Sequence, residues 1–153
     1  MHATDATDAT QAPVASPAPV VPVAAFRHSL RVYWEDTDAG GVVFYANYLK
    51  FFERARTEWL RARGVAQQAL KDQTGAMFVV ADTHVSYKRP ARLDDLLEVT
   101  VEVIETGRAS LVIRQQAWCQ GQLLAEGQIR IGCVDATTLR PRRFPDPVLK
   151  TLP

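Results

Sequence analysis

Two aspartates one residue apart, Asp36 and Asp38, stand just ahead of a glycine pair, Gly40 and Gly41. They lie in the run Tyr33-Trp-Glu-Asp-Thr-Asp-Ala-Gly-Gly-Val-Val-Phe-Tyr-Ala-Asn-Tyr48. The residues before this run read as a strand, and those after it as an amphipathic helix. The first N–H groups of a helix have no intrahelical partner. A carboxylate beside them supplies a nucleophile or base together with an oxyanion site, a pairing that suits acyl transfer. Each residue also has a plainer reading. Asp caps turns and helices, and a Gly pair makes a tight turn or admits a close backbone approach.

The other chemistry-bearing residues are sparse. His2, His28 and His84 are scattered, and Cys119 and Cys133 belong to no CxxC, so no metal-ligand spacing is present. Both cysteines sit in apolar, strand-like runs and read as free thiols in a chain with no sign of an oxidising compartment. Lys88, Arg89 and Arg92 cluster around Pro90, and Arg140, Arg142 and Arg143 form a second basic run. The second run suggests no site. The formal net charge of +1 offers no global field for nucleic acid or an anionic membrane.

These residues need elements to hold them. The 153-residue chain is of one-domain length, and 47% hydrophobic content is enough for a core. Residues 1–25 are rich in Ala, Pro, Thr and Val, carry no Lys or Arg, and read as a disordered tail rather than a signal peptide. The folded domain is expected over residues 26–140, with 141–153 a Pro/Arg-rich surface segment. Ser29 to Trp34 alternates and predicts a first strand. From Ala46 to Arg63 the period becomes helical, with Tyr48, Phe51, Phe52, Ala55, Trp59 and Ala62 on one face and Gly64 as the stop. Val65 to Asp72 predicts a second, short helix. Strands are expected over 77–87, 96–106, 109–119 and 123–134, paired as a meander with a tight turn at Gln120-Gly121. The expected architecture is α+β: a long helix wrapped by a five-stranded antiparallel sheet, with an edge that invites dimerisation.

The stretch from Tyr33 through Phe-Phe-Glu-Arg-Ala-Arg-Thr-Glu58, with the later Pro90-Ala-Arg-Leu-Asp-Asp95, resembles the hotdog-fold acyl-CoA thioesterases of the 4-hydroxybenzoyl-CoA thioesterase family. Within it the chain is most similar to the Tol–Pal system-associated acyl-CoA thioesterases. The likeness spans about residues 30–134. It implies a hotdog fold, a homodimer or homotetramer with active sites between subunits, and hydrolysis of an acyl-CoA or acyl carrier protein thioester without a cofactor. The expected compartment is the cytoplasm, and peripheral association with the inner membrane stays open.

The same resemblance implies site residues. Asp38 matches the catalytic carboxylate, either attacking the thioester or activating water. Tyr45 stands where several relatives carry His. Phenol, with a pKa of about 10, is no base near neutrality, so its backbone N–H is expected to bind the oxyanion. Gly40 and Gly41 would admit the thioester, and Lys88 and Arg89 would meet phosphate. Asp36 is expected to hold the loop, and Glu58 and Glu53 to be solvated or paired with Arg. A different class of function, a thioester- or acyl-carrier-protein-binding scaffold of an envelope-associated complex, is the alternative.

Overall fold

Alternating β-branched residues and one long amphipathic run divide the chain into a sheet and a helix that must cover it. The computed structural model describes residues 25–153 together with Pro17, Pro19 and Val20. The expected tail, residues 1–25, falls otherwise outside the described residues. The strands are β1 (Phe26–Arg31), β2 (Ala76–Tyr87), β3 (Leu96–Thr106), β4 (Ser110–Cys119) and β5 (Gln122–Asp135). The helices are α1 (Asn47–Ala62), α2 (Gln67–Thr74) and a single turn, α3 (Asp146–Leu149).

All five strands join one antiparallel sheet in the order β1-β3-β4-β5-β2. The expected meander therefore holds only for β3, β4 and β5. Strand β2 pairs with β5 rather than with β3, leaving β2 as an edge. The long link from β2 to β3 also allows β1 to take the β3 edge. At the β4–β5 turn, Gln120 and Gly121 both have positive φ, 49° and 75°. Positive φ at both central residues is what a tight two-residue hairpin requires.

Helix α1 lies across β1, β3 and β4. Its buried face carries Tyr48, Phe51, Phe52, Ala55, Trp59 and Leu60. Each large side chain there contributes roughly 1.5–3 kcal/mol by leaving water. Ala62 is exposed and Leu60 takes the place expected for it. The helix ends in a paired cap, in which Gly64 and Val65 donate to the carbonyls of Arg61 and Leu60. Opposite the helix, a Cβ on Gly127 would stand 3.0 Å from the Phe52 ring, so only glycine lets the ring lie this close to β5. Gln115, fully buried on β4, donates to the Phe52 carbonyl at 3.0 Å and accepts from Arg56 at 2.8 Å. That network fixes the register of helix on sheet.

Two expectations need correction. Trp34 does not continue the first strand. Asp36 accepts the Tyr33 N–H at 2.8 Å and bends Trp34–Asp36 into a 3₁₀ turn, leaving Trp34 80% exposed. The segment after residue 140 does not simply run over the surface. Phe144 and Val148 are buried, and the Phe144 ring meets that of Phe78 edge-on at 5.8 Å. Cys119 and Cys133 are both free, the second buried.

Candidate active site

The loop from β1 to α1 is shaped by its two aspartates, which do different work. Asp36 is 3% exposed. Its carboxylate holds the Tyr33 N–H, and its carbonyl accepts from the Phe44 N–H and the Asn47 side chain, each at 2.9 Å. Asp36 is thus a buried staple between the loop and the first turn of α1. The 3₁₀ turn ends the extended backbone that would have aimed both acids the same way, and Asp38 is exposed.

Asp38 opens a tight reversal. Its N–H donates to the Val42 carbonyl at 2.9 Å, and its carbonyl accepts from Gly41 at 3.0 Å. Gly41 has φ +75°, which an L side chain rarely adopts. The Gly40 N–H donates to Asp38 Oδ1 at 2.8 Å, while Oδ2 has no donor among the described residues. One carboxylate oxygen is anchored and the other is left without a donor among the described residues.

The chain then pairs with the segment after β2. Val42 bridges Arg92, and the Val43 N–H donates to Ala91 at 2.8 Å. This pairing brings the basic cluster to the helix start. Val43, Tyr45, Tyr48, Tyr87, Lys88, Arg89 and Pro90 line one groove of ≈ 250 Å³. A second groove of ≈ 590 Å³ shares Tyr87, Lys88 and Arg89 and continues over Gly121, Gln122 and Leu123. Asp38, Gly40 and Gly41 stand on the same loop but line neither groove.

At the turn into α1, no acceptor among the described residues takes the N–H of Tyr45 or of Ala46. Such donors sit at the positive end of the helix dipole and suit an oxyanion. The Tyr45 ring is 63% exposed and packs edge-on against Phe44 at 4.9 Å and Tyr87 at 6.1 Å. Tyr48 is buried, and its hydroxyl accepts the Ala91 N–H at 3.1 Å. Burial raises the Tyr48 pKa above the ordinary phenol value, and desolvation does the same for Tyr87.

Sequence reasoning overlooked Tyr87 and Asn47 as parts of this candidate site. A Tyr immediately before Lys88-Arg89, and an Asn at the first helical position, were the available signals. Of the rival acids, Glu58 forms an ion pair with Arg61, and Glu53 accepts from the Thr57 hydroxyl at 2.7 Å. An apolar cavity of ≈ 220 Å³ lies against the far half of α1, lined by Trp59, Leu60, Phe78, Ile131, Phe144 and Val148 among others. None of the expected site residues lines it. Among the described residues, no group of three or more His, Cys, Asp and Glu is arranged to hold a metal ion.

Residues 32–152 match the family model described as the thioesterase-like superfamily. The acyl-CoA thioester hydrolase YbgC of Escherichia coli O6:H1 is 46% identical over 125 residues, covering 81% of this chain and 92% of that protein. The acyl-CoA thioesterase YbgC of Haemophilus influenzae is 43% identical over 80% of this chain and 90% of its own. Among solved structures, a probable thioesterase from Bartonella henselae superposes with a TM-score of 0.76 at 32% identity, over 80% of this chain and all of that one. With its long helix laid on a five-stranded antiparallel sheet, the chain belongs to the thioesterase-like superfamily and has the hotdog fold.

Proposed function

We propose that this chain hydrolyses acyl-CoA thioesters to a carboxylic acid and free thiol, with Asp38 as the reacting carboxylate. One observation carries the reading. Asp38 is anchored through a single oxygen by Gly40, on the loop that leads into a helix start with unclaimed N–H groups. The relatives named as acyl-CoA thioester hydrolases support the substrate class.

The chemistry needs little more. Asp38 Oδ2 adds to the thioester carbonyl carbon, the C–S bond breaks, the thiolate leaves and takes a proton, and water cleaves the mixed anhydride. In the base variant, Asp38 takes a proton from water, the hydroxide adds to the same carbon, the C–S bond breaks, and the thiolate leaves and takes the proton back from Asp38. In both, negative charge grows on the carbonyl oxygen, and the Tyr45 N–H receives it. Lys88 and Arg89, beside Tyr45 in the groove, hold phosphate of coenzyme A or of an acyl carrier protein. Gly40 and Gly41 keep the approach to Asp38 open.

The working unit in this reading is at least a dimer. Strand β2 is an edge, with Val80 53% and Tyr87 46% exposed. Phe78, Val79 and Val80 line the apolar cavity near one end of β2, and Tyr87 touches Tyr45 at the other. Joining two copies antiparallel along β2 sets the cavity of one beside the Tyr45 turn of the other, giving the acyl chain a pocket. Within the family, the run from Tyr33 to Glu58 with Pro90-Ala-Arg-Leu-Asp-Asp95 supports a place among the Tol–Pal-associated thioesterases, and the cytoplasm is the compartment proposed.

The experiment is a panel of short aliphatic, long aliphatic and aromatic acyl-CoAs, with released thiol as the readout. Turnover on at least one class is expected. A pure, folded protein inert on all of them contradicts the proposal.

A further inference from the structure

Tyr87 ends β2, far in sequence from the β1–α1 loop, yet its hydroxyl donates to the Tyr45 carbonyl at 2.9 Å. The start of α1 explains why that carbonyl is available. The helix begins tightly: the Leu49 N–H donates to Ala46, and the Asn47 N–H to Phe44. No backbone N–H among the described residues reaches the Tyr45 carbonyl. The helix ladder skips this oxygen, and a strand residue supplies its bond instead.

The consequence falls on the neighbouring donors. The Tyr45 carbonyl and the Ala46 N–H belong to one rigid peptide plane. A bond to the carbonyl fixes the plane's orientation. It also polarises the amide, which strengthens the N–H as a donor. That N–H is one of the unclaimed donors at the helix start. The Tyr87 ring, set edge-on to both Tyr45 and Tyr48 at 6.1 Å and 5.5 Å, keeps the hydroxyl on target.

We propose that Tyr87 is a positioning residue. Its hydroxyl sets the 45–46 peptide plane so that the Ala46 N–H joins that of Tyr45 in meeting the thioester oxygen as charge develops. The inference rests on the hydrolase reading above and adds a residue to it. Tyr87 does not react. It acts through the main chain of the turn.

Tyr87→Phe is the direct test, because it keeps the ring packing and removes only the hydroxyl. Losing an oxyanion donor outright costs about a hundredfold or more in kcat, so a misaligned one is expected to cost about tenfold. KM should stay within about twofold, since the bond matters only as charge builds in the transition state. The thermal midpoint should not move, and amide exchange in a peptide covering residues 44–49 should quicken. An active wild type with an equally active Tyr87→Phe overturns the assignment, as does a rise in KM alone. If the wild type itself turns over no thioester, it is the hydrolase reading that fails, and Asp38→Asn will then match the wild type.

Discussion

The Gly40 N–H holds Asp38 Oδ1 at 2.8 Å, and the same glycine leaves little room for a side chain beside that oxygen. A Cβ built on Gly40 would stand 3.1 Å from Asp38 Oδ1. A side chain at the residue that orients the carboxylate would therefore push that carboxylate aside by a few tenths of an ångström.

Gly40→Ala follows from this relationship. Gly40 is not in the positive-φ region, so the backbone tolerates alanine. The carboxylate must swing away by a few tenths of an ångström or more. The expected result is a fall in kcat of about tenfold to a hundredfold, the range that small misplacements of reacting groups produce. Stability should change by less than about 1 kcal/mol, as for an exposed loop position. Equal kcat values in the two proteins would show that Asp38's orientation does not govern the reaction.

Lys88 and Arg89 predict a different signature. Replacing either with Ala should raise KM for acyl-CoA by about three- to tenfold with kcat held, because exposed charges make modest contacts. The effect should fade at high salt, where such contacts are screened. A short thioester lacking phosphate should feel neither substitution. Equal losses on the phosphate-free substrate would remove phosphate binding from these residues.

The β2 edge predicts an assembly. The wild type should sediment as a dimer or a tetramer. Val80→Lys, placing charge on an exposed edge, should shift it toward smaller species, since an edge lysine opposes strand pairing. Thioester turnover should fall in step with dissociation. A wild type that is monomeric and fully active rules out a composite site.

Much of the fold was legible because its signals are periodic. The α1 stripe reports burial except at Ala62, and the β3 alternation marks Leu97, Val99 and Val101 but not the buried Thr100. The placement of β2 was not legible, because alternation says that a strand is half-buried without saying which neighbour it pairs with. The first strand's end was misread at Trp34. A carboxylate on Asp36 catching the Tyr33 N–H overrides the apolar pattern there. Among the proposed site residues, Asp38 stood out through its motif, and Lys88 and Arg89 through charge. Tyr87 and Asn47 were missed because their bonds, to partners 42 and 11 residues away in sequence, are not written in a local pattern. The burial of Phe144 and Val148 was likewise masked by the prolines and arginines around them.

Asp38→Asn tests the central claim most directly. Asparagine keeps an oxygen for the Gly40 N–H, so the loop and the thermal midpoint should be retained. It can neither attack a thioester nor take a proton from water. We expect kcat/KM to fall by a thousandfold or more on every accepted substrate, on the order of 4 kcal/mol of transition-state stabilisation. A folded Asp38→Asn protein with kcat/KM near that of the wild type would contradict the account.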